Sequence, residues 1–280
     1  MHRYAYVSSG LAQHRIEEAL ALLREAGYDG VALTLDHVHF DPLAPRLRAR
    51  AERLGALLDE HGLARVVETD SRYLLDRHRA DYPSLLDDGR QRRLELLRRA
   101  VDVAAALGAP VVSLRSGAVT RALDPVSAWT LLMDGIERVL ARAERVGVTI
   151  GLEPEGGMLV ERLDDFETLA RRLGDPPGLG LTLDLGHCAA VEPGPVERSV
   201  RRGAGRLVHV HVKDMRRSGD AQLMLGDGDL DLPPALRALD EIGYGDLVAV
   251  ELPRHAHVAP DAVPRAIARL RDAEREGVAI

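Results

Sequence analysis

The chain carries one cysteine, Cys188, so no internal disulfide can form and its stability rests on packing. Rings are scarce as well. Two Phe, six Tyr and one Trp in 280 residues leave few faces for stacking, which favours a small, highly polar ligand over a bulky one. No apolar run approaches the roughly 20 residues of a membrane span. The opening Met1-His-Arg-Tyr-Ala-Tyr-Val goes straight into a strand-like run with no signal-peptide apolar region, so the expectation is a cytoplasmic protein without a membrane partner. Excess positive charge is also missing: the formal net charge is −7 and the pI near 5.9, which argues against nucleic acid as a partner, since binding it calls for a basic face. Lysine occurs once, as Lys213, among 37 basic residues. Two accounts fit. Composition drift toward arginine leaves one lysine by chance, or a compact ammonium is required where an arginine fork does not fit.

What is present points to one α/β architecture. Hydrophobic residues make up 46 % of the chain, ample for a large core. Short apolar runs read as strands at 4–7, 31–35, 64–68, 111–114, 148–153, 180–184, 207–212 and 247–251. Helical patterns fall between them at 16–26, 45–61, 88–107, 125–146, 163–173, 195–204, 232–242 and 260–276. Strict alternation of strand and helix demands parallel strands with crossover helices, and eight such pairs close most simply into a (β/α)8 TIM barrel. An open doubly wound sheet would place a Gly-rich phosphate turn after the first strand, and Tyr6-Val-Ser-Ser-Gly-Leu does not match it. Glycines in Ala26-Gly-Tyr-Asp-Gly, Leu107-Gly-Ala-Pro, Val146-Gly-Val and Ile242-Gly-Tyr-Gly-Asp stop helices just before the next strand. The longer segments, 69–87 and 213–231, follow strands, on the side where barrel enzymes build their sites. No linker or repeat divides residues 1–280, which are expected to form a single domain.

Four charged or imidazole side chains end strand runs: Glu153 after Val148-Thr-Ile-Gly-Leu, Asp184 after Leu179-Gly-Leu-Thr-Leu, His211 after Leu207-Val-His-Val, and Glu251 after Leu247-Val-Ala-Val. Three carboxylates and an imidazole converging on one barrel mouth repel unless a cation lies among them. The set suits one divalent ion, with Mn²⁺ favoured over Mg²⁺, Co²⁺ or Zn²⁺. His187, three residues past Asp184, and Lys213, two residues past His211, are candidate substrate contacts. His209 shares the face of His211 and is expected one layer deeper, as a packed interior residue. Arg115 is a candidate binder of a substrate carboxylate, phosphate or hydroxyl, with Glu68 as its expected partner. His37 is a candidate pocket residue beside Asp36 and His39, as are Tyr6 and Tyr73, and Trp129 is expected on the outer ring.

With these residues in view, the chain resembles the xylose isomerase-like TIM barrels, also called sugar phosphate isomerases/epimerases. The resemblance lies in Gly151-Leu-Glu-Pro-Glu, Leu183-Asp-Leu-Gly-His, Val208-His-Val-His-Val-Lys-Asp, Leu225-Gly-Asp-Gly-Asp-Leu and Val250-Glu-Leu. It implies a divalent-metal-dependent isomerase or epimerase of a sugar, sugar phosphate or cyclitol. Glu153, Asp184, His211 and Glu251 then hold the metal, and Glu153 and Glu251 exchange a proton through an enediolate. It further implies substrate contacts from His187 and from Arg217, six residues beyond the metal histidine. Homodimers and homotetramers are the assemblies it implies.

Other members of the family leave other activities open. A dehydratase or lyase of the inosose or dehydroshikimate type also abstracts a proton beside a carbonyl, then expels a hydroxyl. An apurinic-site endonuclease needs further ligands, yet here the third strand ends Glu68-Thr-Asp, the fourth ends Leu114-Arg-Ser, and the Asp-Arg-His segment reads Asp220-Ala-Gln222. A non-catalytic binding protein is the remaining alternative.

Overall fold

A computed structural model of the protein describes residues 1–120, 123–216 and 222–278. The barrel strands are β1 (Arg3–Val7), β2 (Gly30–Thr34), β3 (Ala64–Glu68), β4 (Val111–Arg115), β5 (Thr149–Glu153), β6 (Leu179–Asp184), β7 (Leu207–Val212) and β10 (Leu247–Val250). A two-stranded antiparallel hairpin, β8 (Asp214–Met215) with β9 (Gln222–Leu223), lies between the last two. The eight barrel strands close in the order β1-β10-β7-β6-β5-β4-β3-β2. The expected barrel is therefore observed. The helices are α1 (Ile16–Ala26), α2 (Leu47–Glu60), α3 (Arg90–Leu107), α4 (Pro125–Glu144), α5 (Leu163–Arg172), α6 (Leu185–Val191), α7 (Val196–Gly203), α8 (Leu232–Glu241) and α9 (Ala259–Val278). None among the described residues is long and apolar enough to cross a membrane.

Helix boundaries follow local chemistry. The Glu18 carboxylate accepts the Arg15 N–H at 3.2 Å ahead of α1, and Gly27, at φ +86°, ends that helix in a conformation that suits glycine. Asp124 caps α4 by accepting the Ser127 N–H at 3.0 Å, with Pro125 in the first turn. Helix α6 was not expected from the pattern. Its seven residues hold no amphipathic period, and it starts because the Asp184 side chain accepts the His187 N–H at 2.8 Å.

Backbone proximity groups the chain into two compact units, each with its own core. One comprises Met1–Ala32, Leu58–Ala64 and Thr182–Ile280. Here β1 pairs in parallel with β10, Tyr6 opposite Val250, and β10 pairs with β7, Ala249 opposite His211. Leu20, Leu23, Leu239, Val263 and Leu270 are fully buried, and the Tyr28 hydroxyl donates to the Val263 carbonyl at 3.0 Å. The turn between α1 and β2 is held twice, because Asp29 donates its N–H to the Tyr4 carbonyl while its carboxylate accepts the Tyr4 N–H. Gly30 begins β2 in a crowded place: a Cβ there would lie 2.7 Å from the Ala64 carbonyl oxygen and 2.8 Å from Leu247. Gly30→Ala is expected to cost about 1–3 kcal/mol, since backbone cannot yield as a flexible side chain does. Urea unfolding with an unchanged midpoint would contradict this.

The other unit comprises Leu33–Leu57 and Arg65–Leu181. Its helices α3 and α4 pack over Leu96, Leu97, Val101, Leu132 and Ile136, all buried. Arg90 ties them together, donating to Asp134 at 2.7 Å and to the Leu131 carbonyl at 2.6 Å. Strands β4 and β5 pair along their whole length, which sets Arg115 opposite Glu153 at their C-terminal ends.

Candidate metal centre

Asp184 uses both carboxylate oxygens. Oδ1 caps α6, and Oδ2 lies 3.0 Å from the Lys213 ammonium. The same Nζ is 2.5 Å from Glu251 Oε2. All three residues are buried, Lys213 with only 2 % of its side chain exposed. A lysine this deep stays charged only with acidic partners, and here it has two. The glycine of Asp184-Leu-Gly-His serves this packing, because a Cβ on Gly186 would lie 2.5 Å from the Lys213 carbonyl oxygen. His211 is also buried, and the buried His209 ring meets it edge to face at 4.7 Å between centroids; these two histidines and Glu68 form a further group that could hold a metal ion.

Asp214, next to the lysine, has no exposed surface and accepts the N–H groups of Met215, Gly226 and Leu230 at 2.8–3.0 Å. Gly228 packs so closely that a Cβ would fall 2.3 Å from Asp214 Oδ1. The Gly-Asp-Gly-Asp segment is thus gathered around one carboxylate, which fixes the chain following β7.

At the end of β5, Glu153 is 5 % exposed. One ligand atom each from Glu153, Asp184, His211 and Glu251 lies within 4.8 Å of the others, so these four buried residues form a group that could hold a metal ion. The chemistry of the set fits a divalent one. Three carboxylates and an imidazole are donors that such an ion takes.

The remaining candidates divide. Arg115 is mostly buried and meets three carboxylates: Asp70, Glu155, and Asp81 at 3.4 Å. Glu68, the expected partner, lines the same cavity. Sequence reading missed Asp70 and Asp81, which a loop brings in from far along the chain. Glu155 left a weak signal, since Glu153 and Glu155 alternate in Gly-Leu-Glu-Pro-Glu. Burial raises the Asp81 carboxyl above its ordinary value and lowers the Arg93 guanidinium. His187 is 8 % exposed at the start of α6. His37 is exposed in the turn where Asp36 accepts the N–H groups of Val38 and His39, and the buried histidine of that turn is His39. Tyr6 is buried and Tyr73 is 51 % exposed. Arg172 stacks on the partly exposed Trp129 ring. Arg217 lies outside the described residues, as do Asp220 and Ala221.

A family model described as the xylose isomerase-like TIM barrel matches residues 20–273. Among curated relatives, fructoselysine 3-epimerase of Shigella flexneri is 26 % identical over 245 residues, covering 85 % of this chain and 85 % of the relative. L-ribulose-5-phosphate 3-epimerase of Escherichia coli K12 is 26 % identical over 239 residues, covering 84 % of this chain and 81 % of the relative. Among solved structures, D-allulose 3-epimerase from Methylomonas sp., in complex with D-allulose, superposes with a TM-score of 0.74. It covers 97 % of each chain at 19 % identity, a likeness of fold.

Proposed function

The chain belongs to the xylose isomerase-like TIM barrel family, and from that premise we propose that it is a divalent-metal-dependent sugar epimerase or isomerase. The observation that carries this reading is the clustering of Glu153, Asp184, His211 and Glu251, with two glutamates from different strands in one buried group. That the relatives named above are 3-epimerases supports epimerisation of a ketose beside its carbonyl. In this reading Asp184 and His211 are dedicated ligands, and Glu153 and Glu251 bind the metal and also carry protons. The metal, when bound, supplies Lewis-acid stabilisation of the charge that develops on the substrate oxygen, and an oxygen-rich set with one imidazole favours Mn²⁺.

The proton work falls to the two glutamates. One accepts the proton from the carbon beside the carbonyl, and the other returns a proton to the opposite face, which inverts that centre. Lys213 holds Glu251 by its Oε2, so this carboxylate enters the reaction already oriented. His187 stands as a contact for a substrate oxygen and Arg115 for an uncharged substrate hydroxyl, with cytoplasmic carbohydrate metabolism as the setting. The test is proton NMR of a ketose panel in D₂O with Mn²⁺. Deuterium wash-in at one carbon, with a diastereomeric sugar as product, supports epimerisation, and loss of water would assign the protein to the dehydratases instead. No exchange with any ketose would overturn the reading.

Metal binding has its own signature. Adding Mn²⁺ at about 100 times its Kd to chelator-stripped protein is expected to stabilise the fold by about 2.7 kcal/mol, read as a rise in Tm. His211→Ala is expected to abolish that rise. A rise of the same size in this variant would place the ion elsewhere.

A further inference from the structure

The cavity at the ends of β3, β4 and β5 has a volume of about 40 Å³, room for one end of a small ligand and not for a whole sugar. Glu153 is in its wall, so it adjoins the carboxylate to which proton transfer is assigned above. Two arginines also line it, and both are committed. The Arg115 fork faces Asp70, Asp81 and Glu155. Arg93 donates to the Pro83 carbonyl at 2.8 Å and to the Thr69 carbonyl at 3.4 Å. A phosphoester is held by guanidinium forks and backbone N–H groups turned toward it. Here it would have to displace carboxylates from Arg115 and then sit beside them.

A second, independent feature points to a ligand. The Ser113 hydroxyl, 1 % exposed, lines the cavity and has no hydrogen-bond partner among the described residues. Buried hydroxyls rarely stay unpaired, so a group entering the cavity, water or a ligand that displaces it, is the partner to expect. The wall therefore presents carboxylates, Glu68, Asp70 and Asp81, with the Ser113 hydroxyl, while the Thr69 and Ser84 hydroxyls of the same wall donate to the Ser113 carbonyl and to Asp87.

We propose that this cavity receives the hydroxyl- or ammonium-bearing end of an unphosphorylated sugar, and that the carboxylates around Arg115 exclude sugar phosphates. The proposal deepens the epimerase reading and rests on it for the place of Glu153. In the native protein Arg115 organises acceptors and does not bind an anion.

The experiment compares D-fructose, D-allulose and D-tagatose with their 6-phosphates and with inorganic phosphate, on the Mn²⁺-loaded protein. It measures both deuterium exchange and calorimetric Kd. The free sugars are expected to bind on the order of 100-fold more tightly than their phosphates, the scale set by losing charge-assisted pairs. Asp70→Asn with Asp81→Asn releases the Arg115 fork and is expected to narrow that ratio at least about tenfold, with inorganic phosphate now binding. Glu155→Gln, which frees the other arm of the fork, gives the same direction should the double variant fold poorly. Tighter binding of a 6-phosphate than of its parent sugar, no binding of either form, or a ratio unmoved in the variants would overturn the proposal. Discrimination in binding without any deuterium exchange would sink the epimerase reading and leave this one standing.

Discussion

Glu251→Gln is expected to cut deuterium wash-in at the ketose carbon by about 10²- to 10⁴-fold, the range a positioned general base contributes. The substitution keeps the shape of the side chain and one carbonyl oxygen, but removes the basic carboxylate held 2.5 Å from the Lys213 ammonium. Glu153→Gln should fall in the same range, because inversion needs a proton donor on one face and an acceptor on the other. Both glutamates also belong to the group that could hold a metal ion, so loss of activity alone is ambiguous. Titrating Mn²⁺ into each variant separates the two roles. A variant that binds Mn²⁺ at saturating concentration yet exchanges no proton has lost the base, and near-wild-type exchange in either one removes that residue from proton transfer.

Lys213→Met is expected to destabilise chelator-stripped protein by about 3–5 kcal/mol, the cost of leaving one side of a buried ion pair without its partner. Asp184 and Glu251 both face this ammonium, and the surrounding burial gives water little access to either carboxylate. Methionine fills similar volume, so the effect reports charge and not a cavity. Saturating Mn²⁺ is expected to restore most of the loss, because a dication supplies the missing charge. Urea melts with and without metal make the comparison. An equal deficit in both conditions would mean that Lys213 acts only as structural packing, and no deficit would mean that the carboxylates are not ionised together.

The strands were legible because each is a short apolar run buried on both faces, and all eight observed barrel strands match their expected positions to within two residues at either end. Glu153, Asp184, His211 and Glu251 were legible for the related reason that charge ending such a run is conspicuous. Helix α6 was hidden because Leu185-Gly-His-Cys-Ala-Ala-Val has no helical period, and its start depends on a side-chain cap. The hairpin β8–β9 was hidden because two residues per strand carry no alternation. The surroundings of Arg115 were least legible. Asp70 and Asp81 come from the loop between β3 and α3, and nothing local in the sequence says which arginine such loop carboxylates will meet. Between His37 and His39 the pattern did not discriminate. The Asp36 turn decides, sending His37 outward and burying His39.

The burial of Lys213 also changes how the folded protein meets reagents. With every other basic side chain an arginine, the native surface displays no lysine amine to acylating labels, amine cross-linkers or lysine-directed modification. Lys213 becomes accessible when the core around Asp184 and Glu251 opens. Its acylation rate, read from the peptide that contains Lys213, is then a reporter of opening at this site, built in by composition and requiring no introduced probe.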